Sequence, residues 1–285
     1  MFLRSSYNAM FTHRQMNIHS SKMLTALQRL SSGYRINSAK DDPAGLAISE
    51  RMRAQITAMR QGIRNAQMGQ DMVDTADGAL AGVHSVLNRM VDLTTQAASA
   101  TLNETQRSAL QQELNQLREE LVRTTAATNF SGSDLLQGNS QNGEPTKIQI
   151  GPTAERYDQL AINLPNMNSV LKMLDGLDVM TPEAAGAALE TVNAAIDQVS
   201  TMRGNLGATG SRMEYFINAQ EVALENLEEA ESRIRDADMA KEMMNYVKAS
   251  VGCKVAQVMM AHAMQEPYRV LELVKDGAAS APSSK

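Results

Sequence analysis

From Leu46 to about Ser99 apolar residues recur on alternating steps of three and four. Met52, Ile56, Met59, Ile63, Ala66, Val73, Leu80, Leu87 and Val91 mark the stripe, and Gln70, Asp77 and His84 fill its gaps. A continuous helix through it is roughly 80 Å long at about 1.5 Å per residue. That exceeds what an ordinary compact domain holds, so the stripe has to be buried against other long helices in a bundle or coiled coil. Composition agrees. The chain has no Trp, 4 Phe and 6 Tyr but 20 Met. Large cores of irregular shape rely on aromatics, whereas helical seams are filled by Leu, Ile, Val, Ala and the adaptable Met. Packing is thus the simpler reading of the methionines, ahead of metal binding or redox sensing.

Helical spacing also runs from Leu3 to Leu30, through Tyr7, Met10, Leu24, Leu27 and Leu30, broken by His13, Arg14, Asn17 and Ser20. Such a stripe is marginal alone in water and needs a partner. The segment from Ser31 to Gly45 has the composition of a break, and Asp42-Pro43 reads as an N-cap with proline in the first turn. Leu110, Leu114, Leu117 and Leu121 mark a further helix. Between Asn129 and Pro165 glycine and proline punctuate the chain, and the alternation of 147–150 and 159–164 predicts a small β-hairpin. Thr181-Pro182-Glu183 opens another helix. It carries Leu189, Val192, Ile196 and Val199, then a heptad run Met213, Ile217, Gln220, Leu224, Leu227, Glu231, Ile234. Met244, Val247, Val251, Val255 and Val258 lie on the last helix, which Pro267 is expected to weaken or kink. Residues 276–285 read as a polar, disordered tail. The expected fold is mainly α: an elongated coiled-coil or helical bundle of long N- and C-terminal helices with a small β-hairpin element. Bringing the two ends together would cover the stripes that otherwise have no partner. The expected division is 1–45, 46–180, 181–238 and 239–285.

Several functions are disfavoured. The net charge is -5 with both signs interspersed, so the basic stripe of a nucleic-acid binder is missing. Cys253 is the single cysteine, which excludes an intrachain disulfide and a Cys-based zinc site. No apolar run approaches the ~20 residues of a membrane span, and residues 1–15 lack a signal-peptide core and cleavage site. Export by a dedicated machine is still compatible with that. The four histidines form no His-Glu-x-x-His motif, and neither a phosphate loop nor a Gly-x-Ser-x-Gly elbow occurs. Asp41-Asp42 is read as a helix cap rather than a catalytic pair. Asn103-Glu104-Thr105 and Asn129-Phe130-Ser131 match the N-glycosylation pattern only weakly. The chain is read as a non-enzyme without cofactor or metal.

Two long motifs carry a family resemblance. Residues 30–48, with Arg35-Ile36-Asn37-Ser38-Ala39-Lys40-Asp41-Asp42, resemble the N-terminal signature of bacterial flagellins. Residues 231–244, with Arg233-Ile234-Arg235-Asp236-Ala237-Asp238, resemble the C-terminal one, and Asn129-Phe130-Ser131-Gly132 fits the family's turn. The resemblance covers about 1–165 and 181–274. It implies a structural subunit that leaves the cell through the flagellar export apparatus and polymerises into the extracellular filament for motility. Its terminal segments would pair as coiled helices only on assembly. The join 166–180 is too short for an outer variable domain. By this resemblance the self-assembly residues are Leu24, Leu27, Leu30, Arg35, Asn37, Asp41, Asp42, Ile234, Met244, Val247, Val251 and Val255. Implied partners are further copies of the chain, an export chaperone, the filament cap and the hook-junction proteins. A flagellin-sensing Toll-like receptor of animal hosts is implied at Arg89, Leu93 and Glu113. Departures are Val251-Gly252-Cys253-Lys254, where Gly252 costs about 1 kcal/mol in a helix interior, and His262, Met264, Tyr268 and Arg269 in place of Gln or Asn. Residues 275–285 extend past the usual end. A hook–filament junction protein shares this architecture, and a cytosolic coiled-coil scaffold shares the periodicity. The match at 233–238 favours flagellin over the junction protein, and removal of residues 240–274 separates it from a scaffold, which could still oligomerise without them.

Overall fold

The structure is a computed structural model. It describes residues 2–138, 145–153 and 155–279, with side chains from residue 7 to residue 265 within them. Six helices lie among the described residues: α1 (Phe2–Ser32), α2 (Pro43–Ala97), α3 (Glu104–Ala127), α4 (Asn168–Met173), α5 (Pro182–Arg235) and α6 (Met239–Ala279). Four short strands form two antiparallel pairs: β1 (Asn129–Phe130) with β2 (Ser133–Asp134), and β3 (Thr146–Gln149) with β4 (Gln159–Ile162). The single expected hairpin is thus two. The tighter one turns at Ser131 and Gly132, both at positive φ (51° and 84°), as a two-residue hairpin loop requires. Neither α4 nor the 3-10 turn Arg156–Asp158 was signalled by periodicity, being too short to show one. α6 continues through Pro267 to Ala279, and the remainder of the expected tail, 280–285, lies outside the described residues.

The starts of α2 and α5 follow the expected capping, and two further caps were not signalled. The Asp42 carboxylate accepts from the Gly45 amide at 2.9 Å, and the Thr181 hydroxyl accepts from Ala184 at 3.2 Å. Asp238 accepts from Lys241 at 3.1 Å. Asn103 and Gln106 form a reciprocal capping box, so the Asn103 amide is already engaged in holding α3.

The chain divides into two compact units, one of residues 54–227 and one of 1–53 with 228–285. The first contains the hydrophobic core. Val73, Leu80, Leu87 and Leu93 of α2 meet Leu114 and Leu121 of α3, and Val192, Val199 and Met213 of α5 join the same cluster. The long-helix stripe therefore packs as its spacing predicts. Its gap residue Asp77 pairs with Arg203 of α5 through two contacts of 2.8 and 3.1 Å. The β3–β4 hairpin lies flush on α2. A Cβ at Gly62 would stand 1.9 Å from the Ile150 carbonyl oxygen, so glycine is required there for close approach. Asn65, one turn on, donates to the Gln149 carbonyl at 2.8 Å.

The second unit is built differently. Arg29 meets Glu242, His19 packs on Gly252, and Met10 shares a groove with Met264, so α1 and α6 run antiparallel. The apolar residues buried between them are Ala26, Ala249, Ala256 and Ala263. The three α6 alanines repeat every seventh residue, the period of a coiled-coil seam. Small side chains let the two backbones approach within 8 Å along the pair. The expectation that the leucine and valine stripes cover one another is corrected here. Leu24 is 59% exposed and Val251 55% exposed, and Leu27, Met244, Val247, Val255 and Val258 also face outward. Gly252, a cost on helix propensity alone, has a steric reason: a Cβ there would lie 2.6 Å from His19 Nδ1. Gly252→Ala should forfeit the ~1 kcal/mol that this change usually gains in a helix and loosen the pair. Adding His19→Ala should restore it. Hydrogen-exchange protection of α1 amides reads both outcomes, and equal protection in Gly252→Ala and wild type would contradict the contact.

Candidate assembly site

The sequence-predicted residues fall into two groups. Arg35, Asn37, Asp41, Asp42 and Ile234 build a joint inside the chain, where α1 turns into the loop 33–42 and α5 gives way to α6. Tyr34 bridges Asp236 in antiparallel fashion. The Arg35 amide donates to the Arg235 carbonyl at 2.7 Å and the Ala237 amide to the Gly33 carbonyl at 2.9 Å. The Arg35 guanidinium donates to the Ile234 carbonyl. Beneath this, Ile36 is fully buried. The Arg235 guanidinium lies 4.9 Å from the Tyr34 ring centroid and bonds Glu50 at 2.6 Å. Arg53 stands 5.9 Å from the same ring. A planar guanidinium fits both the aromatic face and the carboxylate, a combination that lysine does not match. Sequence reasoning quoted Arg235 within a motif but gave it no role. Its signal was the pairing of a basic residue with Tyr34, which only the turn brings together.

The loop itself is organised by Asp41. Its carboxylate accepts from the Asn37 amide at 3.2 Å, and from the Ser38 amide and hydroxyl, each at 3.0 Å. Asn37 in turn donates to Ser32 at 2.8 Å. The Ser38 hydroxyl, then the Ser38 amide, hold the Asp41 carboxyl below its ordinary value of 3.8, with smaller help from Asn37 and Arg29. A carboxyl depressed on folding stabilises above its unfolded pKa and loses that contribution as pH falls through the folded one. An NMR titration should place Asp41 below 3.8; a value at or above it would contradict the loop geometry. Asp41→Ala should cost about 1 kcal/mol, the net worth of a typical hydrogen bond, because the site is exposed.

The second group faces outward. Leu24 and Leu27 on α1, and Met244, Val247, Val251 and Val255 on α6, are exposed, and Leu30 is half-buried. Glu242 sits one heptad before Ala249, on the paired face, and is buried against Arg29 at 3.2 Å. Its place in the series 242, 249, 256, 263 was readable in the sequence.

The three residues implied as a receptor contact lie in the other unit. Arg89 and Glu113 are exposed and joined at 2.7 Å between α2 and α3. Leu93 is 1% exposed and belongs to the core. As a surface contact Leu93 is therefore corrected: its side chain packs under the Arg89–Glu113 pair's helices and offers nothing to a partner. No helix among the described residues is long and apolar enough to cross a membrane.

A core confined to one unit, and paired terminal helices that leave large apolar side chains exposed, define a mainly helical protein with apolar surface left uncovered. Family comparison gives the class its name. Residues 4–141 match the bacterial flagellin N-terminal helical region and residues 189–274 the C-terminal helical region. The flagellin of Halalkalibacterium halodurans is 38% identical over 275 residues, covering 96% of this chain and 100% of that protein. The flagellin of Bacillus subtilis is 35% identical over 306 residues with the same coverage. A solved flagellar hook-associated protein from Vibrio parahaemolyticus shares the fold, with a TM-score of 0.59 at 16% identity over 69% of this chain and 100% of that one. The chain belongs to the bacterial flagellin family, a family of structural proteins.

Proposed function

We infer that the chain is a filament subunit: a flagellin that polymerises into the extracellular bacterial flagellum for motility and has no outer variable domain. The observation that carries this reading is the outward apolar face of the terminal helix pair. Leu24, Leu27, Met244, Val247, Val251 and Val255 form patches that a lone soluble chain rarely leaves uncovered. Inside the pair the fully buried apolar groups are alanine methyls, worth about 0.8 kcal/mol per group, beside half-buried Thr12, Met16, His19 and Met23. That is small beside the ~1–2 kcal/mol per residue needed to order backbone over helices of 31 and 41 residues. Packing against other copies supplies the missing burial, so ordering and assembly occur together. Contacts of this kind that do not close produce an open helical polymer.

The hook–filament junction reading has less support, since the hook-associated neighbour shares the fold at 16% identity whereas flagellins match across the chain. Passage through the flagellar export apparatus, a chaperone on α6, and contacts with cap and junction proteins belong to this proposal. Animal-receptor recognition would rest on Arg89 and Glu113, which are exposed while joined to one another. The proposed division into assembly and middle segments, 1–45, 46–180, 181–238 and 239–285, differs from the two compact units in giving 46–53 and 228–238 to the middle segments.

Electron microscopy of purified protein after heat dissociation and cooling tests the reading. Long filaments are expected. Removal of residues 240–274 should abolish them. Oligomers that persist without that helix would instead support a cytosolic scaffold.

A further inference from the structure

A polar niche of about 400 Å³ opens between α1 and α6 near the Arg29–Glu242 pair. Lys22, Arg29 and Lys248 line it beside His19, Asn245 and Glu242. Glu242 is buried and already committed to Arg29. Lys22 and Lys248 are exposed and meet no carboxylate among the described residues, and the buried Nε of Arg29 has no acceptor. Three cations against one satisfied carboxylate leave the niche with an uncompensated positive field. The sequence deepens that imbalance: α1 carries Arg4, Arg14, Lys22 and Arg29 and no acidic residue.

The opposite imbalance occurs elsewhere on the same chain. Between Arg212 and Arg233 there is no basic residue, while Glu214, Glu221, Glu225, Glu228, Glu229 and Glu231 fall in that stretch of α5. Glu221 and Glu225 are one turn apart, exposed, and meet no base among the described residues. Glu229 pairs with Arg233 and Glu231 lies 3.8 Å from Arg53, so the charge left over on this stretch includes that of Glu221 and Glu225, opposite in sign to the Lys22–Lys248 niche and complementary to it between copies. Neighbouring charges of this kind set register and suppress wrong arrangements more than they add raw affinity.

We propose that the Lys22–Arg29–Lys248 niche of one copy receives the Glu221–Glu225 face of α5 from a second copy, a heterologous contact that fixes the register in which subunits add to the polymer. This rests on the filament reading above. The apolar face supplies adhesion, and the charge pair selects which of its sliding positions is used. Because the groups are solvent-accessible before contact, added salt weakens the selection.

The test is a charge swap in the full-length chain. K22E/K248E and E221K/E225K should each raise the critical concentration for polymerisation at least tenfold at low salt. The fourfold variant K22E/K248E/E221K/E225K should return it to near the wild-type value, since the signs are reversed on both sides. Folding damage cannot produce that recovery. Wild-type critical concentrations in both double variants would overturn the proposal, as would a fourfold variant no better than the worse double. If wild-type protein forms no filaments at all, the filament reading itself fails, a result distinguishable from either.

Discussion

Gly62→Val is expected to destabilise the chain by about 3 kcal/mol, at the upper end of what overpacking does. The usual expectation for a glycine inside a long helix is the reverse, since replacing it by alanine gains roughly 0.5–1 kcal/mol. At Gly62 a Cβ would sit 1.9 Å from the Ile150 carbonyl oxygen and 2.7 Å from its carbon. The obstacle is backbone, so no rotamer change relieves it. The β3–β4 hairpin must lift from α2, breaking the Asn65–Gln149 bond and exposing Ile150 and Ile162, both buried. Gly78 and Gly82 on the same helix face open space. Gly78→Ala and Gly82→Ala should therefore stabilise by the ordinary amount. Denaturant unfolding of the three variants separates the cases. If Gly62→Val unfolds at the same midpoint as wild type, the hairpin is not seated on α2 as described.

That contrast shows how far the sequence could be read. The α2 stripe was legible because Leu, Ile, Val and Met at steps of three and four leave no alternative face to bury. Even its gap residue Asp77 has a local explanation, an Arg203 one helix away. The strands of the β3–β4 hairpin were legible from alternation. What seats that hairpin was not, because a glycine in a helix pattern looks the same whether it faces solvent, as Gly78 does, or a carbonyl, as Gly62 does. Long-range polar fasteners were equally hidden. Gln111 spans to the Leu177 carbonyl and the Val179 amide at 2.9 and 2.8 Å, and Arg107 closes the end of α2 on the Ala97 carbonyl at 3.1 Å. Neither residue type or spacing signals such a bond.

The apolar stripes of the terminal helices misled about their partner within the chain. On α1 the strongest apolar residues, Leu24 and Leu27, lie off the pairing face, which is carried by half-buried Thr12, Met16, His19 and Met23 with buried Ala26. On α6 the valines mask a heptad of alanines. Hydrophobicity locates the face with most to bury, and in a subunit that face need not be the one buried within the chain. A pattern of small residues at period seven was the better guide to the partner helix.

Val251→Asp combined with Val255→Asp should abolish polymerisation while leaving the unfolding of residues 54–227 unchanged within about 0.5 kcal/mol, the usual range for surface substitutions. Both side chains are exposed on the single chain, so the variant has nothing to lose inside it. In a polymer that covers this face, each carboxylate would be buried without a partner, which costs several kcal/mol. At 1.4 kcal/mol per tenfold in an equilibrium constant, the pair should raise the critical concentration at least about a thousandfold. Ala256→Leu provides the complementary case. That position is buried between α1 and α6, so the extra atoms force the two helices apart and weaken the pair itself rather than its contact with a second copy. Sedimentation across a concentration series measures the assembly, and hydrogen exchange on α1 and α6 measures the pair. Filaments from the double aspartate variant at the wild-type critical concentration would mean that the outward valine face is solvent-facing in the filament as well, and the source of adhesion between subunits would have to be sought on the other unit.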